Sequence, residues 1–250
     1  MKYLFLFFLF CQLLFSADFY GYGIISHLAY GEYWRTTLII TNKSKTQPSL
    51  TSIDFFESNG NMANLTFRDD AGNVYTANNN LGVRLPPLAS IRLETINLPP
   101  QTKTGWAQFY SVEGEADVFV VFRATFPPAM NRSDFEAVVF SEVGYEHEIL
   151  IPFNNKNGFE TAVALVNFGD MPTNLEIKII DETGTIIGTY NETLAAQNQT
   201  AFQTASRWPL SREKSGSIYI FGSHSAFTGL TLLFNPSLSM TSSTVLSVKR

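Results

Sequence analysis

Cysteine is nearly absent: the 250-residue sequence has one, Cys11, inside an apolar segment at its amino end. If that segment is cleaved, the remaining chain has no thiol, which excludes disulfides, thiol catalysis and a cysteine-ligated zinc site. Cys11 also follows Phe10, whereas the lipid-bearing cysteine of a bacterial lipoprotein follows a small residue. The folded product is therefore expected to depend on its hydrophobic core alone.

Charge is scarce as well. Charged residues make up 16% of the chain, with 17 Lys and Arg against 22 Asp and Glu, well below the ~25% of typical globular proteins. No cluster of Lys and Arg could follow a phosphate backbone, so we expect no nucleic-acid partner. Long stretches that favour helix are absent after residue 17, whereas Phe (22) and Tyr (10) are plentiful. Because aromatic side chains pack well on pleated surfaces, the composition predicts an all-β fold.

The amino end has the pattern of an export signal. Lys2 supplies a positive end, the apolar run "YLFLFFLFCQLLF" follows, and Ser16-Ala17 offers a small residue before the turn-rich "DFYGYG". We interpret residues 1–17 as a helical signal peptide that is cleaved on export. The run is shorter than the ~20 residues of a membrane span and is interrupted by Gln12, although an uncleaved anchor and a nearby cut site stay open. The expected location is the periplasm, the cell surface or the exterior, with no stable membrane span after cleavage.

Two similar strings, "YWRTTLIITNK" from Tyr33 and "GFETAVALVNF" from Gly158, lie about half the chain apart. Further strings match in the same order: "FFESNG" with "IIDETG", "LPPLASIRLET" with "LAAQNQTAFQT", and "GWAQFY" with "GSIYIF". An ordered match over most of each half predicts an internal duplication. We place domain 1 at residues 18–143 and domain 2 at residues 144–250. Domain 1 carries an extra hairpin at about 61–84, around the turn "DDAGN", whose role is left open.

Within each copy, short strands are separated by turn residues about every 8–12 positions, which is typical of a β-sandwich. The sequence thus predicts an all-β fold of two tandem Ig-like β-sandwich domains from an internal duplication, preceded by the helical signal peptide. The string "WRTTLIITN" is expected to be a buried central strand, and "VFVVFRATF" and "SIYIFG" are expected in the opposite sheet. Trp34, Trp106 and Phe159 are expected to fill the space between sheets. No Cys–Trp–Cys spacing occurs, so the Ig likeness is architectural only.

These strings resemble a family of uncharacterised secreted bacterial proteins with tandem Ig-like β-sandwich domains. The shared pattern runs from an aromatic residue, T-T and an apolar strand ending in Asn, through "FF-x-SNG", "GWAQ", "FR", "EAVV" and a string around "GF-x-T-x-VAL-x-N", to "D/E-TG" and "L-x-FNP". Here they occupy Trp34–Asn42, Phe55–Gly60, Gly105–Gln108, Phe122-Arg123, Glu136–Val139, Ile151–Asn167, Ile180–Gly184 and Leu232–Pro236. Ile151 and Ile180 stand where the family usually has Leu and Arg. The resemblance covers nearly the whole chain after the signal and implies fold and export; it supplies no catalytic residue.

Few residues suggest chemistry. The three histidines are scattered, and Glu146 and Glu148 flank His147 on a strand in which neighbours point to opposite faces. The turn at Asp69-Asp70 and the acidic run Glu113–Asp117 come nearest to a calcium loop, but both are more simply turns. No G-x-S-x-G string, phosphate loop or dinucleotide fingerprint occurs. We therefore predict no catalytic residue, no metal site and no cofactor, and a protein that is not an enzyme.

Aromatic residues are the candidates for ligand binding. Tyr20, Tyr22, Tyr30 and Tyr33 crowd the mature amino end, and Trp208 lies in the loop string "SRWPLSREK" as the best candidate for an exposed tryptophan. Exposed rings stack on sugar faces or form hot spots for protein partners. The alternative is that the tyrosines merely cover a sheet edge.

Four functions are compatible with these features. The first is an exported, non-catalytic structural or interaction protein of the bacterial envelope or exterior, including adhesion, that binds a partner through sandwich loops or edges. The alternative is a carbohydrate-binding module that uses the exposed rings. A two-domain periplasmic assembly chaperone is a distant alternative, with Arg35 and Lys156 as weak candidates for basic anchors. An enzyme would need a convergent polar pocket at the domain junction, and fold alone does not choose among these.

Overall fold

The computed structural model describes residues 21–130, 134–142, 147–237, 240–244 and 246–247, so the predicted signal peptide lies outside the described residues. The all-β prediction is confirmed. The first strands are β1 (Gly21–Tyr30), β2 (Trp34–Asn42), β3 (Ser49–Glu57), β4 (Asn64–Asp69), β5 (Val74–Asn78), β6 (Asn80–Leu85), β7 (Ser90–Ile96), β8 (Lys103–Glu113), β9 (Ala116–Ala124) and β10 (Phe135–Phe140). The later strands are β11 (Glu148–Asn154), β12 (Glu160–Asn167), β13 (Thr173–Asp181), β14 (Ile186–Leu194), β15 (Gln199–Gln203), β16 (Ser215–Gly222), β17 (Phe227–Phe234), β18 (Met240–Thr244) and β19 (Leu246–Ser247). Helix α1 (Thr204–Arg207) and 3-10 turns at Pro128–Met130 and Pro209–Ser211 are the helical elements of the described residues.

Strands β1 to β10 form one antiparallel sheet in the order β1-β8-β3-β6-β5-β4-β7-β2-β9-β10. The two ends of this sheet meet, because Ile24 in β1 and Glu142 just after β10 exchange two backbone hydrogen bonds of 2.9 and 2.8 Å. Between β5 and β6 the pairing is limited to Asn78 with Asn80. The ten strands therefore form one nearly closed sheet, which is called the cylinder below.

The interior of this cylinder is the larger core. Its inward positions alternate with outward ones, as the period of two in a strand requires. Ile53 and Phe55 of β3 meet Val120 and Phe122 of β9 there, and Phe67 of the β4–β5 hairpin packs against Phe55. Each of these side chains is fully buried, so apolar burial is the main force that holds the cylinder together.

Strands β11 to β19 form two further sheets, β14-β13-β16-β11-β19 and β15-β12-β17-β18. One face of each contributes to a second core, in which Ile177 of β13 and Ile220 of β16 lie with Leu165 of β12 and Phe227 of β17. This pair of packed antiparallel sheets is a β-sandwich.

The four-stranded sheet has a second apolar face, and the cylinder covers it. Ala164 of β12 and Leu230 and Leu232 of β17 belong to the same buried cluster as the core of the cylinder. On the cylinder side, β1 is buried along its length from Gly23 to Tyr30, on both of its faces. The surface where the cylinder meets the four-stranded sheet is called the seam below.

The two sets of strands are connected in the same order. The cylinder contains the runs β1-β8-β3-β6 and β10-β9-β2-β7, and the sandwich contains β11-β16-β13-β14 and β18-β17-β12-β15. Strands β4 and β5 have no counterpart among the described residues of the second set. The extra segment was expected to be one hairpin over about 61–84, but it holds three strands, and the third, β6, pairs with β3 as β14 pairs with β13. The additional part is thus the β4–β5 hairpin alone.

Asn42 and Asn167 end the equivalent strands β2 and β12 and make the same buried hydrogen bonds. Each amide nitrogen donates to a carbonyl in the loop that follows and to two carbonyls where β6 or β14 ends, and each amide oxygen accepts from a backbone N–H two residues on. The acceptors are Gln47, Leu85 and Pro86 for Asn42, at 2.9–3.2 Å, and Met171, Leu194 and Ala195 for Asn167, at 2.8–3.1 Å. The donors are the N–H groups of Ser44 and Gly169, at 2.9 and 3.0 Å. Each Asn thereby ties three chain segments together at one end of its sheets.

One expectation about the strands was wrong. The string "VFVVFRATF" was expected in the sheet opposite "WRTTLIITN", but β9 pairs directly with β2, with Leu38 opposite Val120. The string "SIYIFG" does lie opposite β12, in β16 of the five-stranded sheet. A pattern rich in Phe and Val indicates that a strand is buried in the middle of a sheet. It does not show which strand is the hydrogen-bonded neighbour, because the pattern reports burial alone.

We predict that Asn42→Asp and Asn167→Asp each lower the free energy of unfolding by at least about 3 kcal/mol. A carboxylate has the shape of the amide but cannot donate to the three carbonyls, and it places a buried charge against them. Urea unfolding followed by tryptophan fluorescence measures the effect. Asn64→Asp, at an exposed position of β4, is the matched control and should change stability by less than about 0.5 kcal/mol. Losses no larger than the control's would contradict the structural role of the two amides.

Candidate functional site

The structure describes three of the four tyrosines that the sequence grouped, and they lie in different surroundings. Tyr20 lies outside the described residues, and Tyr22 is half-buried and packs against Tyr110 with 5.2 Å between ring centroids. The expectation of an exposed ring was wrong for Tyr30, which is buried in the core of the cylinder. Burial, together with the charge of Glu57, raises its pKa to about 12. Tyr33 is half-buried at the rim of the cylinder.

Trp208 was expected to be exposed, and this was wrong: its exposed fraction is 0%. The ring closes the side of the sandwich between the edge strands β14 and β15, in contact with Phe202 of β15 at 4.9 Å and Tyr190 of β14 at 6.5 Å. Its indole N–H donates to Glu192 Oε1 at 2.8 Å, and Arg207 donates to the same carboxylate. The loop reaches back because an indole with a satisfied N–H gains by burial.

We predict that Trp208→Ala lowers the free energy of unfolding by about 3–5 kcal/mol, because it opens a cavity in the second core and leaves Glu192 without one donor. Leu210→Ala, two residues along the chain at a position 52% exposed, is the control and should cost less than about 1 kcal/mol. Chemical denaturation measures both. If Trp208→Ala kept full stability but lost binding to a glycan, the result would contradict the buried structural role and support the earlier prediction that Trp208 stacks on a sugar.

The acidic strings that resembled calcium loops form turns. Asp69 accepts hydrogen bonds from Asn73 N, Asn73 Nδ2 and Tyr75 Oη at 2.8, 2.8 and 3.0 Å in the β4–β5 hairpin, and these bonds lower its pKa. Glu115 and Asp117 pair with Lys43 at 2.9 and 3.1 Å. No group of three or more metal-binding side chains occurs within the residues that the structure describes. His147 is exposed, and Glu146 lies outside the described residues.

His27 of β1 forms a buried polar link across the seam. Gln199 of β15 donates from Nε2 to His27 Nδ1 at 2.9 Å, and its Oε1 accepts from Ser58 Oγ at 3.0 Å. The ring meets Phe122 edge-on at 5.5 Å. Because an amide nitrogen only donates, Nδ1 must be unprotonated, and burial lowers the pKa of His27 from 6.5 to about 4.

We predict that protonation of His27 weakens the fold in acid. In the unfolded chain His27 binds a proton below about pH 6.5, whereas in the folded chain it does so only near pH 4. The free energy of unfolding therefore falls as the pH is lowered from about 6.5 to 4, by about 3 kcal/mol in all. Unfolding free energies at pH 7 and pH 4.5 should therefore differ more for the natural chain than for His27→Gln. Since all other titrating groups are common to both, equal pH dependence in the two proteins would refute the prediction.

A row of aromatic side chains marks one rim of the cylinder and extends across the seam. The rings follow one another at centroid distances of 5.5 Å from Tyr33 to Phe126, 5.7 Å from Phe126 to Phe135, 5.3 Å from Phe135 to Trp34 and 6.4 Å from Phe135 to Phe234. All five are half-buried. We call these residues the aromatic row.

Strand register explains the row. Trp34 begins β2 and Phe135 begins β10, and both pair with Ala124 at the end of β9. Phe234 ends β17 on the face that packs against the cylinder. The same rim therefore collects the last inward-facing residue of several strands, where the core meets solvent. The sequence singled out Tyr33 and Trp34 but missed the three phenylalanines; aromatic residues at the predicted ends of strands are the signal that could have found them.

A shallow apolar depression of about 270 Å³ lies beside Phe234. Phe159, Leu233 and Met240 give it an apolar surface, and Asn154 and Asn235 lie at its edges. Phe159 was expected between the sheets, but it is 38% exposed here because it precedes β12 in the turn Asn155–Phe159 rather than lying within the strand. We call this depression the rim groove.

Arg35 follows Trp34 of the row in the chain and pairs with no carboxylate of the described residues. The guanidinium of Arg35 donates from Nη1 to the carbonyls of Glu32 and Trp34 at 3.3 and 3.0 Å, and no described acidic side chain forms an ion pair with it. By contrast Lys156, the other predicted basic anchor, pairs with Glu182 at 2.6 Å. Arg35 thus retains donors for an external acceptor, since a guanidinium carries five N–H groups.

No protein-family model matches this chain, and no curated protein matches it. Among solved structures, isomalto-dextranase of Arthrobacter globiformis T6 in complex with panose aligns with a TM-score of 0.24 and 11% identity, over 82% of this chain. The chain spans 35% of the length of that enzyme. A likeness this weak carries no argument about fold or function. Over the described residues, every helix is too short to cross a membrane.

Proposed function

We propose that this chain is an exported, non-catalytic structural or interaction protein that binds a protein partner through the aromatic row and the rim groove. The observation that carries the proposal is the meeting of rings from the cylinder and the sandwich at one partly exposed rim. Export is inferred from the signal pattern of residues 1–17.

We also propose that the chain consists of two Ig-like β-sandwich domains derived from an internal duplication, residues 18–143 and 144–250. The common strand order of the two sets supports this. So do the matching hydrogen bonds of Asn42 and Asn167, which use eight backbone groups at corresponding places. The likeness of the strings in the sequence points the same way.

The row has the composition of a binding hot spot. Tyr and Trp are enriched in such sites because they bury a large area at a small entropic cost and can still form a hydrogen bond. The rings are already fixed against each other and against Phe122 behind Trp34, at 5.8 Å. A partner would therefore meet a preformed surface and lose little free energy in ordering it.

The chemistry of the site indicates the kind of partner. The rim groove accepts an apolar side chain, and Arg35 supplies a charge-assisted donor to a nearby carboxylate. We therefore infer that the partner presents an aliphatic or aromatic residue to the rim groove and an Asp, Glu or terminal carboxylate to Arg35.

Carbohydrate binding is the second candidate, because Tyr33 and Trp34 offer partly exposed rings for stacking on a sugar face. Two of the residues first predicted for that role, Tyr30 and Trp208, are buried. The protein partner is favoured because Phe126, Phe135 and Phe234 lack the polar groups with which a sugar site fixes its hydroxyls.

The test uses the full mature chain from Asp18 and two variants, Phe159→Asp and Arg35→Glu. A partner is captured from the native envelope by cross-linking, purified, and its dissociation constant is measured for each protein. We expect each variant to bind at least about tenfold more weakly, through loss of the apolar contact or reversal of the charge.

Val74→Asp is the matched control, since Val74 is an exposed apolar residue, 57% exposed, on the β4–β5 hairpin; its affinity should stay within about twofold. Affinities equal in all four proteins would place the partner elsewhere and refute the proposed site. Saturable binding to a glycan array that Tyr33→Ala abolishes would instead support the carbohydrate-binding alternative.

A further inference from the structure

A second cavity, of about 270 Å³, opens on the seam, away from the aromatic row. Its walls come from β1 and β10 of the cylinder and from β17 and β18 of the four-stranded sheet. The residues that matter for its chemistry are Ser26, Val138, Phe140, Glu142, Leu230 and Ser242. We call it the seam cavity.

Ser26 contributes a hydroxyl that has no hydrogen-bond partner within the part of the chain that the structure describes. The residue is 1% exposed, and its Oγ makes no hydrogen bond to any described group. A buried hydroxyl without a partner costs free energy on folding, so such groups are uncommon unless something else satisfies them. The other buried hydroxyls in this state, at Ser49, Thr51 and Thr231, do not line this cavity.

Glu142 contributes a carboxyl that pairs with no cation of the described residues. It is half-buried, burial raises its pKa, and no Lys, Arg or His of the described residues pairs with it. Its backbone is fixed by the two hydrogen bonds to Ile24, two positions before Ser26 on β1. Glu142 is thus an acid at a fixed place in the wall of the cavity, with no compensating cation among the described residues.

The other residues of the cavity wall supply a further oxygen acceptor, an apolar surface and an aromatic ring. Ser242 donates its hydroxyl proton to the carbonyl of Val138, so its oxygen is left as an acceptor. Val138 and Leu230 give an apolar wall, and Phe140 has an exposed ring at the opening. Three oxygen acceptors, one of them anionic, therefore line the same cavity as an apolar wall and an aromatic ring.

We propose that the seam cavity binds a primary alkylammonium group, either a free amine or a lysine side chain. An ammonium has three N–H donors for the Glu142 carboxylate and the Ser26 and Ser242 oxygens. Its methylene stem packs against Val138 and Leu230, and its charge lies near the face of Phe140, where cations are attracted. The cavity admits one side chain or one small molecule.

The test is isothermal titration calorimetry of the full mature chain with three probes of similar length. These are 1,5-diaminopentane, Nα-acetyl-lysine N-methylamide, and pentan-1-ol as the neutral analogue. We expect saturable binding of the two amines and at least about tenfold weaker binding of the alcohol. Tighter binding of the lysine derivative would assign the cavity to a polypeptide side chain, and tighter binding of the diamine would assign it to a free amine; both support the proposal.

Variants connect the binding to the named atoms. Glu142→Gln keeps the shape of the side chain and should weaken amine binding at least about tenfold, and Ser26→Ala should weaken it several-fold without destabilising the unliganded protein. Glu136→Gln, at an exposed position on the same strand β10, should have no effect, and Phe159→Asp in the rim groove should leave amine binding unchanged. Absence of amine binding at millimolar concentration, equal binding of pentan-1-ol, or full affinity in Glu142→Gln would each overturn the proposal.

Discussion

The four-stranded sheet β15-β12-β17-β18 is apolar on both faces, and the rest of the molecule is arranged to cover them. Leu165 and Phe227 face the five-stranded sheet, whereas Ala164 and Leu230 face the cylinder. A sheet of this kind cannot leave one side in water, so the two sets of strands share a core instead of being joined only by a linker. The seam that results brings strand ends from both sets to one surface, and both the aromatic row and the seam cavity lie along it. Binding sites commonly form at such junctions, because side chains from separate parts of the chain converge there.

The sequence predicted the strand-rich fold and several of its details, because these depend on local patterns. The apolar strand ending in Asn42, and its likeness to the strand ending in Asn167, identified elements that the structure places in equivalent positions. Predictions that depended on exposure were less successful. Trp208 was assigned to the surface because it lies in a loop, yet the carboxylate of Glu192, sixteen residues earlier, accepts its indole N–H and allows the ring to be buried. Phe135 and Ser26 belong to candidate sites only because residues from distant strands lie next to them. No local sequence pattern identifies such neighbours.

The two sets of strands solve the same geometric problem differently. In each set, the two runs of strands end side by side without pairing, at β6 and β7 in one and at β14 and β15 in the other. The core would be open to water there unless another part of the chain covered it. In the cylinder, the β4–β5 hairpin closes it and inserts Phe67 into the core. In the sandwich, helix α1 and the following 3-10 turn close it and insert Trp208 between β14 and β15. An added hairpin and a single large side chain thus serve the same purpose, since both exclude water from the open edge of a core.

The double burial of β1 has a consequence for the order in which the chain folds. Its inward face can pack as soon as β2 to β10 exist, but its outward face waits for residues made much later, since Gln199 lies 172 positions beyond His27. A chain that emerges from a ribosome or an export channel amino end first would therefore hold an almost entirely apolar strand half-covered until nearly all of it has appeared. Contacts between residues so far apart in the sequence slow folding, and the intermediates expose apolar surface that promotes aggregation. The yield of native protein would therefore depend on how long β1 stays half-covered.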